Sequence, residues 1–210
     1  FGSNLFRITP GGNVVSGLVG GTGNPITQED VDAIKNAEIP NVDIVAPVGF
    51  SSRVISFENQ KKAAFVFGLT PEAIELMGLE LVSGENLSDG NSNNRVAVLG
   101  KDLSEDLFGV GADPVGESVI IGDTKYKVIG VAFAKGAFSG DQFNNAVTIP
   151  IKVLNRDITG NDNLYEIVVR AQDASQLNET IDNVEIFLRD HRSINPGDER
   201  DCSIVRVEEV

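Results

Sequence analysis

The sequence has no tryptophan, one cysteine, one histidine and one methionine. A single cysteine, Cys202, rules out an internal disulfide. No cluster of ligand-bearing residues surrounds it, and its setting in "DCSIVRV" reads as a strand with a buried free thiol. Cysteine usage therefore does not fix the compartment. The lone histidine, His191, excludes any site built from paired histidines and offers no clear catalytic base. It sits in "RDHR", at the end of a long helix, where a cation complements the helix dipole. There is no Gly-x-Ser-x-Gly elbow, and no carboxylate pair stands out from the surface acids. No catalytic and no cofactor-binding residue is assigned, and a hydrolase is disfavoured for want of a nucleophile–base set. With Tyr126 and Tyr165 as the only tyrosines and no tryptophan, a sugar-type binding cleft is poorly provided for.

Basic residues are also scarce, 17 against 31 acidic ones, for a formal charge of -14. A surface this acidic repels nucleic-acid phosphates and anionic lipid headgroups, so nucleic acid is disfavoured as a partner, and a well-solvated surface is preferred to one shaped for a basic partner. Long hydrophobic runs are missing as well. The longest, "AAFVFGL" at 63–69, is far short of the ~20 residues that span a bilayer. There is no signal peptide, and the first residue is Phe, so a soluble piece of a longer polypeptide is expected.

What is present is an ordinary globular composition, 41% hydrophobic and 23% charged over 210 residues, enough to bury a real core. Each end reads as strand–helix–strand. "NLFRITPGG" is a strand stopped by Pro-Gly-Gly, and a glycine-rich stretch follows. Thr27 with Asp30 forms a capping-box pattern before a helix carrying Val31 and Ile34. Two strands come next, "VDIVAPVGFSSRVISF", bent near Gly49, and "KKAAFVFGL". At the other end "LYEIVVRA" precedes a helix capped by Asp173 or Ser175. Its apolar stripe is Leu177, Ile181, Val184 and Leu188, and the strand "CSIVRVEEV" closes the chain. The middle changes rhythm: Pro71 opens a short helix, and "RVAVLG", "SVIIGDTKYKVIGVAF" and "AVTIPI" read as strands. If the end units share a sheet, the middle, 71–154, is an insertion. The expected division is then 1–70 with 155–210, and 71–154.

Two stretches invite a ligand. "RVAVLGKDLSEDLFG", 95–109, has the outline of a phosphate loop. However, Arg95 stands where the first glycine should be and Asp102 where the hydroxyl should be. Asp102, Glu105 and Asp106 place negative charge where an anion would sit. Asp102 is read as a helix cap. "NRDITGNDNLYE" supplies oxygens at five calcium-loop positions, Asn155, Asp157, Thr159, Asn163 and Glu166, with Gly160 at the turn. Against it, position 1 lacks Asp, position 8 is Asp162, and the flanks read as strands. A polar turn is the reading preferred, with no metal assigned, and "DGNSNN", 89–94, is a weaker version.

From 67 to 131 the phrases "GLTPEAIELMGLELVSGENL", "RVAVLGKDLSEDLFG" and "DPVGESVIIGDTKYKVIGV" follow in order, with "VTIPI" later. "GSNLFRITPGG" and "VEIFLRDHR" flank them. The set resembles the MacB-type periplasmic core domain, found in ABC-transporter permeases of the MacB, lipoprotein-release and FtsX-like superfamily. The resemblance implies an α+β fold of two subdomains. A membrane-proximal, porter-type one comes from both chain ends, and an α/β, sabre-type one is inserted between. It implies an extracytoplasmic domain of a membrane protein, with Phe1 following one membrane helix and Val210 preceding the next. It also implies a second copy of the permease and a cytoplasmic ATPase as partners, with a periplasmic adaptor or envelope protein as a further candidate. The domain would transmit ATP-driven motion to export or release a substrate. Its own residues would hold no cofactor, and the 95–109 phrase becomes structural. The alternative is a solute- or protein-binding module that regulates a cell-envelope enzyme or recruits a lipoprotein carrier. Nothing matches the proline-bearing hook of the lipoprotein-releasing members, so export is preferred.

Overall fold

The structure, a computed structural model, describes residues 4–11, 24–134, 140–194 and 201–207. The glycine-rich stretch at 12–23 lies outside them. In chain order the strands and helices are β1 (Leu5–Pro10), α1 (Gln28–Asn36), β2 (Val42–Phe57), β3 (Gln60–Leu69), α2 (Pro71–Leu76), β4 (Leu79–Gly84) and β5 (Val96–Gly100). Then follow α3 (Lys101–Phe108), β6 (Ser118–Ile121), β7 (Thr124–Ala134), α4 (Gly140–Asn144), β8 (Ala146–Pro150) and α5 (Ile151–Leu154). Last come β9 (Glu166–Ala171), α6 (Leu177–His191) and β10 (Cys202–Arg206). The chain is of the α+β class and forms two compact units, Phe1–Val48 with Asp162–Val210, and Gly49–Asn161.

In the first unit the strand order is β10-β1-β9-β2, and every neighbouring pair is antiparallel. Two strand–helix–strand segments, β1-α1-β2 and β9-α6-β10, thus interleave in the order 4-1-3-2, the ferredoxin-like arrangement. Buried Phe6, Ile8, Ile167 and Val169 fill its sheet. The helices begin where side chains satisfy their open amides. The Thr27 N–H donates to the Asp30 carboxylate at 2.9 Å, and Asp173 accepts from Ser175 N–H at 2.8 Å just ahead of α6. Asn41, in the left-handed region at φ 66°, joins β2 to α6. Its amide donates to Thr180 Oγ1 at 2.7 Å, and its side-chain oxygen accepts from Asp173 N–H at 2.8 Å.

This corrects the stripe on α6. The buried positions are Leu177, Thr180, Val184 and Leu188; Ile181 is only half-buried. Thr180, 1% exposed, takes the interior place because both its hydrogen-bonding roles are met, by Asn41 and by the Gln176 carbonyl. Leu188→Ala is therefore expected to cost about 3 kcal/mol and Ile181→Ala clearly less. Urea unfolding of the two variants checks the order.

The second unit is built on a mixed sheet. β2, β3, β8, β5 and β7 are successive neighbours, with β3–β8 and β5–β7 parallel. β6 pairs with both β7 and the end of β2, through Ile55↔Ile121, so the strands return on themselves as a ring. Inside lie Ile55, Val66, Leu99, Val119, Tyr126, Val128, Val147 and Ile149, joined by Leu103 and Leu107 of α3 and Leu154 of α5. Gly49 and Gly68 face each other across β2 and β3. A Cβ on either would strike the Leu154 side chain, at 2.5 Å and 2.6 Å, so their bareness seats that leucine. β4 pairs only with β7 and is an edge strand, interrupted at Val82 by a register shift that blunts the edge.

The unit boundaries fall at 48/49 and 161/162, not at 70/71 and 154/155. β3 and the second half of β2 carry the interior residues Ile55, Ala64 and Val66 of the ring, and Leu154 packs there too. A division at Pro71 would cut through that core. The turn signals at Pro71 and Leu154 mark ends of elements, and those elements share one interior.

Candidate coupling site at the paired chain ends

The first and last described strands, β1 and β10, are direct neighbours, from Phe6↔Arg206 to Pro10↔Cys202. The closure of this pair is organised by Arg192, which follows α6. Its Nη1 donates to Asp30 Oδ2 and its Nε to Asp201 Oδ2, each at 2.7 Å. Its Nη2 donates to the carbonyls of Asn24 and Pro25, at 3.1 Å and 3.2 Å. The side chains of Arg192, Asp30 and Asp201 are 9%, 5% and 14% exposed. One guanidinium thus ties the start of α1, the end of α6 and the approach to β10. Because Asp30 also caps α1, the clasp and the helix start are one construction. His191 Nε2 lies 3.7 Å from Asp30 Oδ1, and its ring stacks parallel to Phe187.

A second buried charge joins β9 to β1. Glu166, 5% exposed, stands 3.6 Å from Arg7 Nη1. Burial raises its pKa, and Arg7 opposes the rise without cancelling it. The folded chain therefore holds this proton more tightly than the unfolded chain. Stability from Glu166 falls as pH climbs from the ordinary glutamate value through the raised one. The difference between wild-type and Glu166→Gln urea midpoints, followed over roughly pH 4.5 to 7, should shift in favour of the variant as pH rises.

Cys202 opens β10, buried and unpaired. Burial first, and Asp201 second, push its thiol up to about 11. Iodoacetamide at neutral pH is expected to label it only as the chain unfolds; rapid labelling of the native chain would contradict this.

The two ligand-like stretches take other roles. In "RVAVLGKDLSEDLFG", β5 runs into α3 through Gly100, where a Cβ would meet the backbone carbonyl oxygens of Phe143 and Asn144. Two acceptors lie against the turn, so it is closed by chain and not open to a phosphate. Gly100, not Asp102, occupies the cap position.

The calcium-loop positions fall on different elements of the chain. Asn155, Asp157 and Thr159 lie on a π-helical turn, Asn155–Thr159. Asn163 bridges to Thr27, and Glu166 starts β9 opposite Arg7. Both oxygens of Asp157 are taken by Arg95 and Arg156. Among the described residues no group of three or more His, Cys, Asp or Glu could hold a metal ion. Sequence reading missed the clasp: it saw Asp30 as a cap, and only the "RDHR" phrase marked the neighbourhood of Arg192.

Comparison with known proteins places this geometry. The model of the MacB-like periplasmic core domain matches residues 1–186. The pyoverdine export ATP-binding/permease protein PvdT of Pseudomonas fluorescens (strain Pf0-1) is 28% identical over 186 residues, 86% of this chain and 27% of the relative. PvdT of Pseudomonas aeruginosa is 29% identical over 199 residues, 91% of this chain and 28% of the relative. The chain thus spans just over a quarter of these curated relatives. Among solved structures, the periplasmic region of MacB from Actinobacillus actinomycetemcomitans superposes with a TM-score of 0.81 at 21% identity, covering 98% of this chain and 89% of that one. The extracellular domain of the ABC-type transporter YknZ from Gram-positive bacteria gives 0.75 at 18% identity, covering 97% and 100%. No helix among the described residues is long and apolar enough to cross a membrane. The chain belongs to the MacB-like periplasmic core domain family.

Proposed function

We propose that this chain is the extracytoplasmic domain of an ABC-transporter permease, carrying ATP-driven motion outward to export or release a substrate. The observation that carries the reading is the pairing of β1 with β10 in a unit assembled from both ends of the chain, with the other unit inserted between β2 and β9. In this reading Phe1 follows one membrane helix and Val210 precedes the next. A displacement of either helix then enters a hydrogen-bonded sheet and moves the porter-type unit as a body.

Export is favoured over lipoprotein release because two relatives similar over most of this chain are named for pyoverdine export. The partners of this reading are a second permease copy, a cytoplasmic ATPase and a periplasmic adaptor or envelope protein. ATP hydrolysis belongs to the ATPase, and this chain supplies coupling without a cofactor. Incubating the purified chain with Mg-ATP tests that division: no phosphate release and no thermal stabilisation are expected. Turnover, or a saturable shift in melting temperature, would overturn it.

A further inference from the structure

The second unit carries a charge arrangement that the coupling role does not use. Arg95 Nε and Arg156 Nη2 both donate to Asp157 Oδ2, at 2.8 Å and 3.0 Å, and Arg156 Nε donates to Oδ1 at 2.7 Å. Two guanidiniums are therefore held side by side by one carboxylate. Asp157 is 8% exposed, while Arg95 and Arg156 are 53% and 50% exposed. Arg156 Nη1 reaches the Asn93 carbonyl at 3.3 Å. Arg95 donates to Asp157 from Nε, and its side chain is half-exposed. The set leaves one net positive charge on a chain of formal charge -14.

The support of this pair is unusual. Asn155–Thr159 is a π-helical turn, a rare geometry often found at functional sites. The same stretch packs on the ring interior through Ile158. The buried oxygens Asn155 Oδ1 and Tyr126 Oη have no hydrogen-bond partner among the described residues. Arg53 Nη2 donates to the Ile158 carbonyl at 3.1 Å, adding a third guanidinium to the turn. The acid nearest in chain to Tyr126 is Asp123, in the β6–β7 turn.

We propose that Arg95 and Arg156 form a carboxylate-binding site, with Asp157 holding the two guanidiniums together so that they take a second, incoming carboxylate. Planar forks of N–H donors match the two oxygens of a carboxylate, which a lysine pair would not do. Asp157 competes with the ligand for the same donors, and both guanidiniums hold its proton affinity well below the usual carboxylate range. It stays ionised at neutral pH, so it tempers the site and keeps it assembled. The incoming group belongs either to a small free polycarboxylate or to an acidic peptide segment.

The test is a titration of the 15N-labelled chain at pH 7 and low salt, read at the side-chain Nε–H signals of Arg95 and Arg156. One arm uses citrate and the other a hexaglutamate peptide. Saturable shifts of these signals are expected in at least one arm, and the arm that saturates at lower concentration identifies the source. Arg95→Gln, which leaves the fold's interior untouched, should abolish the saturation at Arg156. Absence of saturable shifts in both arms at millimolar ligand would overturn the proposal. So would binding that persists in Arg95→Gln.

Discussion

Gly100→Ala is expected to unfold the chain or to lower its stability by more than about 4 kcal/mol. The backbone at Gly100 is ordinary, at φ -64° and ψ 146°, so conformational freedom is not why glycine is needed there. The need is room. A Cβ would fall against the carbonyl oxygens of Phe143 and Asn144 and 2.6 Å from the Asn144 carbonyl carbon. These are backbone atoms at the end of α4, which cannot swing aside as a flexible side chain would. They are also tied down, since Asn144 Oδ1 accepts from the Ala134 N–H of β7 at 2.9 Å. Relief would require moving α4 or β5 inside a close-packed unit, and overpacking of that kind is poorly tolerated. Gly90 is the control: its nearest foreign atom is a serine hydroxyl at 3.8 Å, so Gly90→Ala should change stability by less than about 0.5 kcal/mol. Urea unfolding of both variants decides the matter.

Arg192→Ala carries the second largest expected loss, about 3–5 kcal/mol, the usual cost of stripping one partner from buried ion pairs. Asp30 and Asp201 would keep their charges in a region where their side chains are 5% and 14% exposed. The carbonyls of Asn24 and Pro25 would lose their donor too. Because the pairs are buried, raising the salt concentration should change this loss little, unlike that of a surface pair. Asp201→Asn should cost less, since Arg192 keeps Asp30 and Asp201 Oδ1 already has no partner among the described residues. In Asp30→Asn/Arg192→Ala the losses should fall short of additive, because the two residues share one interaction.

The ends of the fold were legible because their signals are local. The capping pattern of Thr27 and Asp30 fixes the start of α1, Pro71 fixes that of α2, and strand alternation in "NLFRITP" fixes β1. The α+β class came from the resemblance to the MacB-type periplasmic core domain. The boundaries between units were not legible, because β3 joins the inserted core through its parallel pairing with β8, some eighty residues away. No local composition change announces such a pairing. On α6, periodicity alone puts Ile181 inside and makes Thr180 a surface residue. The reversal depends on Asn41, which reaches Thr180 from the turn before β2. The surroundings of the calcium-loop pattern were not legible for a related reason. Spacing counts oxygens, whereas Arg95, sixty-two positions from Asp157, decides what one of those oxygens binds. The clasp at Arg192 joins residues 162 and 9 positions apart and has no sequence signature of its own.

The central claim is that β1 and β10 move together as one body during transport. The direct test is a disulfide across their Thr9↔Ser203 pair, placed as Thr9→Cys/Ser203→Cys in the full-length permease proposed to contain this chain. A Cys202→Ala background removes the neighbouring thiol. Facing residues on paired strands lie within disulfide reach. Substrate export and ATP turnover are measured in membrane vesicles before and after oxidation. Rigid transmission predicts that both persist when the strands are locked together. Loss of export on oxidation, with ATP turnover continuing and reduction restoring export, would show that the strands part during the cycle and would contradict the account.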